Sequence, residues 1–534
     1  MESIKIRNFY GARTLDKIQK IRSFTSKLIY NIPIFNKLDL DELPKNLKVI
    51  PPNLWKGNIE RGKNFLKKKN FHIKNKKSDE FFYYHSFSWL TDLKIFGKEN
   101  LRIYTRELTK NWIKNNSSWN LSTWNNYILG SRLCSWIHNY DFFFLTSNDD
   151  FKKNFFKSIS KQLNHLTQNF SSINGNSELI RIIKALIYIS ICIPNKKSLY
   201  QIAIFNLKTE IAKQILKDGC HFQRNPKIHM EVLYDLIDIR SILNAANKKV
   251  FIDLQNAIEK MSLVSYFFLH KDYSLALFNE CSNADISFIN EIILQIPKPK
   301  KIPRDLVDAG FQRIDTKDTV VIVDCGIPKN YNATYKAHAC TAGFEISYKK
   351  KKIIINSSPL YKNNEISKST AAHSTLTLNS ANAYKILKNG YLSRIPELVK
   401  VKRIERYGSN FLEIENYSYK QQYESIHKRL LYIDKNGTDI RGEENIYCPS
   451  ELTFDIRFYL DETIKTSQIN NEKAILLKLP NGTGWKFISS LDKISLVTSE
   501  YIGLNKQPKN SEHINLTGKT VELITIVKWS LKKY

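Results

Sequence analysis

Residues 296–303, IPKPKKIP, separate two regions of different sequence character. Before this stretch, apolar residues recur every three or four positions, which is the spacing of amphipathic helices. After it come short runs rich in β-branched residues, separated by turn signals. Because proline does not continue a helix, the stretch predicts a junction near residue 300. The predicted fold class is α+β multidomain, with an all-α part followed by an all-β part.

The first 300 residues contain many amphipathic segments joined by short polar loops. Residues 198–219, SLYQIAIFNLKTEIAKQILKDG, show the helical spacing of apolar side chains. Another helix is predicted to begin after Pro226, and a further helix pair covers about residues 250–296. No repeat of fixed period is visible, so an irregular toroid of stacked helical hairpins is favoured over a regular solenoid.

The residues after the junction are predicted to form an antiparallel β-sandwich. Residues 318–326, DTVVIVDCG, and 452–460, LTFDIRFYL, are typical of strands. The tripeptides KNG at 435–437 and PNG at 480–482 are hairpin signals, because asparagine and glycine accept a positive φ. Many short strands in series favour a sandwich of two sheets.

The net charge is strongly positive, since 82 Lys and Arg residues stand against 51 Asp and Glu residues and leave +31. Such a surplus attracts polyanions in a salt-dependent way, and nucleic acid, anionic lipid and acidic glycan all fit it. The basic residues are spread along a chain rich in Lys, Asn and Ile, so biased nucleotide composition explains them equally well. No helix-turn-helix, RNP string, KH loop or zinc finger is visible, and a nucleic-acid partner is not expected.

The cysteines and the apolar runs bear on location and on metal binding. The seven cysteines are scattered and form no CxxC pair, so neither a disulfide framework nor a thiolate zinc site is indicated.

No apolar run reaches the roughly 18 residues of a membrane span. Residues 1–24 lack the apolar core of a signal peptide, so the sequence does not support export. A cytoplasmic location stays open, and the oligomeric state is not indicated.

Several local strings resemble the heparinase II/III family. Residues 337–358, AHACTAGFEISYKKKKIIINSS, are similar to the family's His-Ala-x-x-x-x-Phe-Glu-x-Ser strand pair, and residues 369–379, STAAHSTLTLN, to its Ala-His-Asn/Ser-Thr strand start. The resemblance extends from about residue 50 to the C-terminus. It implies three segments, which are an N-terminal extension (1–50), an (α/α) helical toroid (51–300) and a β-sandwich (301–534).

The resemblance implies a lyase that acts on uronate-containing polysaccharides by β-elimination. In that reaction a base removes the proton next to the uronate carboxyl group, and the glycosidic oxygen leaves from the neighbouring carbon. The site must neutralise the carboxylate, because the proton is barely acidic beside a charged group. It also needs a general base and a general acid, typically Tyr and His.

The sandwich half carries the histidines that the resemblance singles out. His338 occupies the family's sandwich histidine, which serves proton transfer or an adjacent metal site. His373 is expected either to ligate metal or to fix a loop. A structural zinc ion would draw on these histidines and on an Asp that is Asn356 here, while Cys340 stands where an Asp often follows His-Ala. Neutral asparagine is a poorer zinc ligand than carboxylate, so no cofactor is certain.

Two strings of the helical half are expected to supply further groups. Asn176 resembles the family's carboxylate-neutralising amide, although an Asn-Ser pair in a loop is equally typical of a helix cap. Residues 223–229, QRNPKIH, are similar to the family string that ends Pro-x-Tyr-His, and the tyrosine position is Ile228. Isoleucine transfers no proton, so another residue must do so if the chain is catalytic, with His221, His229 and Tyr335 as the candidates.

The turn before that helix and an upstream aromatic segment are predicted to contact substrate. Arg224 and Asn225 precede a helix start, where an Arg and backbone amides suit an anionic sugar. In residues 117–140, Trp124, Tyr127 and Arg132 are candidates to line a sugar groove. Aromatic residues at helical spacing more often belong to the core, and we expect this of Trp136.

The sequence therefore supports two hypotheses on one scaffold. The first is a lyase of an acidic polysaccharide, with His338 as the main catalytic candidate. The second is an inactive protein that binds such a glycan or acts in envelope polysaccharide metabolism. The resemblance implies a cell-envelope or periplasmic location.

Overall fold

The structure is a computed structural model. It describes residues 44, 46–68, 73–76, 78–170, 176–282, 286–329, 335–356, 364–396, 398–469, 473–502, 508–521 and 523–534. Apart from residue 44 and residues 46–50, the predicted N-terminal extension lies outside the described residues.

Helices make up the described chain as far as the Pro-Lys stretch. They are α1 Ile59–Leu66, α2 Asp79–His85, α3 Trp89–Lys94, α4 Glu99–Asn115, α5 Asn126–His138, α6 Tyr140–Phe143, α7 Asp149–Asn169, α8 Ser177–Cys192, α9 Lys197–Gln214, α10 Pro226–Ala245, α11 Ile252–Phe267 and α12 Ile286–Leu294. The predicted helix after Pro226 is confirmed as α10, and the predicted pair over about 250–296 as α11 and α12. None of the described helices is long and apolar enough to span a bilayer.

Local sequence explains why α7 forms and which face it buries. The side chain of Asn148 accepts a hydrogen bond from the backbone N–H of Phe151, and Asp149 and Asp150 lie in the first turn, where the helix dipole favours negative charge. Phe155 and Ile159 lie four residues apart on the buried face. The opposite face carries polar and basic side chains.

Strands follow from residue 305 to the C-terminus. They are β1 Asp305–Leu306, β2 Phe311–Asp315, β3 Thr319–Asp324, β4 Phe344–Tyr348, β5 Lys351–Ile355, β6 Leu376–Leu378, β7 Lys385–Ile386, β8 Leu392–Ser393, β9 Val399–Arg406, β10 Ser409–Asn416, β11 Ile426–Ile433, β12 Asp439–Cys448, β13 Thr453–Leu460, β14 Lys465–Ile469, β15 Ala474–Lys478, β16 Gly484–Ser489, β17 Ser495–Ile502, β18 Pro508–Lys519 and β19 Leu523–Lys533. Short helices α13 Asn364–Lys368 and α14 Lys420–Tyr423 and a 3₁₀ turn at Thr370–Ala372 interrupt them.

The strands form two large antiparallel sheets that share one core. The first sheet has the order β1-β2-β3-β4-β5-β13-β18-β17, with β6 also paired to β13, and the second has the order β14-β15-β16-β19-β12-β11-β10-β9. Strands β7 and β8 form a separate pair. Phe344 and Phe458 of the first sheet lie 5.9 Å and 4.9 Å, ring to ring, from Trp529 of the second. The two sheets thus pack face to face, as the sequence predicts.

Both predicted hairpin signals are confirmed. Gly437 lies between β11 and β12 with φ +70°, and Gly482 lies between β15 and β16 with φ +83°. The backbone N–H of Gly437 donates to the carbonyl of Asp434 at 2.9 Å, and that of Gly482 donates to the carbonyl of Leu479 at 2.9 Å. Glycine is favoured at both turns because its missing Cβ removes the clash of a positive φ.

Gly442 in β12 makes room for the central tryptophan of the sandwich. A Cβ at this position would lie 2.1 Å from Cε2 of Trp529, whose ring is fixed between aromatic side chains of both sheets. We expect Gly442→Ala to lower the free energy of unfolding by about 1–3 kcal/mol, the usual cost of overpacking. Urea unfolding followed by tryptophan fluorescence measures this change. Glu443→Ala, at a half-buried position of the same strand where the side chain pairs with Lys528 at 3.5 Å, should differ from wild type by less than about 1 kcal/mol. Equal midpoints for the two variants would contradict the prediction.

The described residues fall into two compact units. The helical unit comprises those up to Glu210 together with Asp235–Leu254, and the sandwich unit comprises Ile211–Tyr234 and those from Gln255 onward. The chain passes from one unit to the other within α9, α10 and α11. Parts of three helices therefore belong with the strands, and domain boundaries at residues 50 and 300 stay a prediction.

Candidate functional site

Two histidines of the sandwich unit lie in contact. His338 precedes β4, and His373 follows the 3₁₀ turn before β6. Nδ1 of His338 and Nε2 of His373 are 3.1 Å apart, and the side chains are only 4% and 1% exposed. Burial, reinforced by His373, holds the pKa of His338 well below its ordinary value, and burial lowers the pKa of His373 to about 3. Both imidazoles are therefore neutral at pH 7, and one donates a hydrogen bond to the other.

Asn279 links this pair to the turn before α10. Its side-chain oxygen accepts from the backbone N–H of His338 at 3.2 Å, and its side-chain nitrogen donates to the carbonyl of Arg224 at 3.0 Å. The side chain of Asn225 in turn donates to the carbonyl of Asn279 at 2.6 Å. Sequence reasoning missed Asn279. No motif marks it, and only its positive φ of +54°, which is not visible in sequence, distinguishes it.

The residues near His338 and His373 provide an incomplete zinc donor set. The side-chain oxygen of Asn356 accepts from the backbone N–H of Ser374, and its nitrogen donates to the carbonyl of Leu277. Among the described residues, no group of three His, Cys, Asp or Glu side chains is arranged to hold a metal ion. Two imidazoles and an occupied amide fall short of the four ligands of a tetrahedral zinc site. No chemical step is therefore assigned to a metal.

His221 and His229 are fully buried in the sandwich unit and are joined by a hydrogen bond. Nδ1 of His229 accepts from the backbone N–H of His221 at 3.3 Å, and its Nε2 lies 2.9 Å from the carbonyl of Met261. Nε2 of His221 lies 3.0 Å from Oε1 of Gln214. Burial lowers the pKa of His221 to about 3 and that of His229 to about 4. These contacts attach the turn before α10 to α9 and α11, and a catalytic role of the two histidines stays a prediction.

Arg224 forms a buried ion pair with Asp324 of β3. Its Nε also donates to the carbonyl of Ala309 at 2.6 Å, and its guanidinium lies 4.7 Å from the centre of the Phe311 ring. The predicted contact with an anionic sugar would have to compete with Asp324 for this charge. The pairing was not visible in the sequence, because the partners are separated by 100 residues.

Asn225 and Ile228 begin α10. The side-chain oxygen of Asn225 accepts from the backbone N–H of Ile228 at 3.0 Å, so Asn225 caps the helix. The side chain of Ile228 is buried. The position that resembles the family's tyrosine therefore holds an apolar side chain inside the fold.

The candidates of the helical unit occupy different environments. Asn176 caps α8, because its side chain accepts from the backbone N–H of Glu178 at 3.1 Å. Trp124 is buried, and its Nε1 donates to the carbonyl of Asn116 at 3.2 Å. Tyr127 is half-buried and stacks on Phe82 at 5.2 Å between ring centres.

Arg132 lies in the core of the helical unit, not on a groove surface. Its Nε donates to the side chain of Gln162 at 2.7 Å, and its Nη1 donates to the carbonyl of Thr123 at 3.0 Å. The guanidinium lies 4.3 Å from the centre of the Trp112 ring, and burial lowers the pKa of Arg132 to about 9. Trp136 is fully buried, as expected. The structure thus groups His338, Arg224 and Asn225 through Asn279, whereas Arg132 is internal.

Comparison with known proteins identifies relatives along most of the chain. The family model for the heparinase II/III N-terminus matches residues 75–299, and the model for the heparinase II/III-like C-terminal region matches residues 298–530. The chain is also 22% identical over 473 residues to FtsZ-localized protein C of Caulobacter vibrioides, covering 84% of this chain and 81% of that protein.

Solved structures support the architecture. Heparinase III is 15% identical, with a TM-score of 0.71, and the match covers 90% of this chain and 82% of that chain. Heparan sulfate lyase HepC of Pedobacter heparinus is 16% identical, with a TM-score of 0.61 and coverage of 87% and 78%. At this identity the likeness concerns the fold alone. It confirms the prediction of a helical toroid followed by an antiparallel β-sandwich.

Proposed function

Because the chain belongs to the heparinase II/III family, we propose that it binds an acidic, uronate-containing glycan without cleaving it. The observation that carries this proposal is Ile228, a buried apolar side chain at the position that resembles the family's proton-transferring tyrosine. The scaffold is that of polysaccharide lyases, and the net charge of +31 favours an anionic ligand.

The surroundings of the other candidate groups support the same proposal. A general base must come within about 2.6–3.2 Å of the proton that it removes. All ring nitrogens of His221 and His229 are engaged inside the sandwich unit, and His338 is buried against His373. Arg224 already neutralises Asp324, so its charge is not free to neutralise a uronate carboxylate. Elimination would require several of these contacts to open.

A lyase is the second candidate, and the contact between His338 and His373 favours it. The two strings that resemble the family come together at 3.1 Å, and the lowered pKa of His338 keeps its imidazole in the basic form at neutral pH. Tyr335, three residues earlier and exposed, would then serve as the acid. In this candidate a rotation of His338 away from His373 precedes proton removal.

Ultraviolet absorbance during incubation with acidic glycans separates the two candidates. Elimination creates an unsaturated uronate that absorbs, whereas binding creates no new chromophore. With heparan sulfate, hyaluronan, alginate and bacterial capsular polymers, we expect a flat trace together with binding that weakens as salt rises. The control variant is His513→Ala, which removes a mostly buried histidine elsewhere in the sandwich unit. The lyase would be established instead if absorbance increased with wild type and with this control but not with His338→Ala. A flat trace without any binding would refute both candidates.

An envelope location follows from the proposed ligand, because acidic polysaccharides of this kind lie at or outside the cell surface. The name of the Caulobacter relative connects that protein with FtsZ. We propose that this chain acts where envelope glycan is remodelled during division.

A further inference from the structure

The helical unit has a surface groove between α4 and α7 with a volume of about 780 Å³. Nε of Arg106 in α4 donates to the carbonyl of Phe143, just before α7, and Nζ of Lys161 in α7 donates to the carbonyl of Ser117, just after α4. The two helices therefore run in the same direction, and the groove follows their length.

Basic side chains line both walls of the groove. Arg106, Lys110 and Lys114 lie four residues apart on α4, and Lys157 and Lys161 lie four residues apart on α7. Side chains at this spacing share one helix face, with successive rows about 6 Å apart along the axis. The groove thus presents two facing rows of positive charge.

Little negative charge offsets these rows. In the part of the chain that the structure describes, Lys110, Lys114, Lys157 and Lys161 make no ion pair. The lining contains two acidic residues, Glu107 and Asp150, against five basic ones, so the groove carries 5 − 2 = +3. Partial burial, together with the like charge of Lys157, lowers the pKa of Lys161. Like charges four residues apart destabilise a helix, so these lysines contribute little to folding.

The remaining lining favours a sugar polymer over a nucleic acid. Two lining residues, Ile103 and Ile113, are apolar, and hydroxyl and amide groups come from Ser117, Ser147, Asn148, Asn154 and Ser158. The aromatic lining residues, Trp124 and Phe151, are only 3% and 8% exposed. A single-stranded nucleic acid gains affinity by stacking its bases on exposed rings, and the lining offers none. Hydroxyl-rich, anionic chains need only charges and hydrogen-bonding groups.

We infer that the groove between α4 and α7 is a binding site for an acidic polysaccharide. This inference rests on the proposed function and assigns the ligand to the helical unit, whereas the candidate histidines lie in the sandwich unit. The ligand is a linear glycan whose carboxylate or sulfate groups reach successive rows of lysine along the groove.

Charge reversal in the groove tests the site. The groove variant is the full chain with Lys110→Glu and Lys157→Glu, one exposed lysine from each wall. The control variant carries Lys196→Glu and Lys197→Glu, which change the net charge equally at exposed positions outside the groove. Because Lys and Glu have similar helix propensities, the groove variant should melt close to wild type. The control variant places carboxylates at the N-terminus of α9 and should melt no lower than wild type. Binding of hyaluronan and heparan sulfate is measured by titration at fixed salt.

We expect the groove variant to bind both glycans about tenfold more weakly and the control variant to stay within about twofold of wild type. If wild type binds and the two variants weaken equally, the groove is not the site, although the proposed function stands. If wild type binds neither these two glycans nor the alginate and capsular polymers of the absorbance experiment, the proposed function fails, and the groove inference fails with it. If single-stranded DNA binds through the groove more tightly than either glycan, the ligand assignment is wrong.

Discussion

Arg224→Met is expected to lower the free energy of unfolding by about 3–5 kcal/mol, because it leaves Asp324 charged and buried without its partner. Methionine keeps much of the length of the side chain and occupies the same left-handed backbone position, where Arg224 has φ +56°. The loss therefore reports mainly on the ion pair and on the hydrogen bond to Ala309. Burying either charge alone costs far more than burying the pair.

Urea unfolding monitored by tryptophan fluorescence and by circular dichroism measures this change. Lys227→Met is the matched control, since Lys227 lies three residues away and makes only long contacts, 3.9 Å to Glu231 and 3.3 Å to the Ser282 hydroxyl. We expect the control to shift the free energy of unfolding by less than about 0.5 kcal/mol. A small shift in Arg224→Met combined with loss of glycan binding would instead assign Arg224 to the ligand, as the sequence predicts.

Arg429→Met is expected to cost a similar 3–5 kcal/mol in the sandwich unit. The guanidinium donates to Oε1 of Glu444 at 2.8 Å and to the carbonyl of Ala342 at 2.6 Å, and both charged side chains are fully buried. Glu444 also accepts from Trp529 at 2.9 Å and contacts His427 at 2.7 Å. Without Arg429, a buried carboxylate would be left beside two neutral groups.

The pH dependence of this loss provides a second measurement. Burial alone would raise the pKa of Glu444, but Arg429 and His427 outweigh it and lower the pKa from 4.5 to about 2. A lowered pKa stabilises the fold above the unfolded value of 4.5 and loses that contribution as pH falls toward 2. In Arg429→Met we expect Glu444 to take up its proton at higher pH, so the deficit relative to wild type shrinks on acidification.

Lys428→Met is the control for this variant, because its side chain lies on the more exposed face of β11. Lys428 pairs with Glu413 at 2.9 Å near the surface, so its variant should lose less than about 1 kcal/mol at pH 7 and less again as the pH falls to 3. A constant deficit of Arg429→Met over this range would show that Glu444 does not carry the effect.

Local patterns predicted the architecture because they depend on neighbouring residues. The stretch at 296–303 does fall between α12 and β1, and the two glycine turns form hairpins. The side chains of His338 and His373 also lie in contact. The resemblance to one family, which covers both strings, predicted that they serve one site. Each of these inferences needed only a period, a turn residue or a short string.

The surroundings of individual polar residues could not be predicted in this way. Arg132 has the sequence context of an exposed helical arginine, yet inside the core it donates hydrogen bonds to Gln162 and to a carbonyl of the preceding loop. Arg224 precedes a helix, as expected of a ligand contact, but its guanidinium forms an ion pair with Asp324. In both cases the partner is distant in sequence and is fixed by tertiary packing. The groove lysines were overlooked because basic residues occur throughout the chain.

The passage of α9, α10 and α11 from one unit to the other has a consequence for gene engineering. A fragment that ends near residue 300 would keep Ile211–Tyr234 but lack β3 and β4, whose Asp324 and Glu345 bind Arg224 and His270. Such a fragment would leave the buried Arg224 without its counter-ion and His270 without its hydrogen-bond partner, and it would expose apolar surface, which favours aggregation. Truncation libraries, split reporters and fusions of this gene should therefore place no break between the start of α9 and the end of β19.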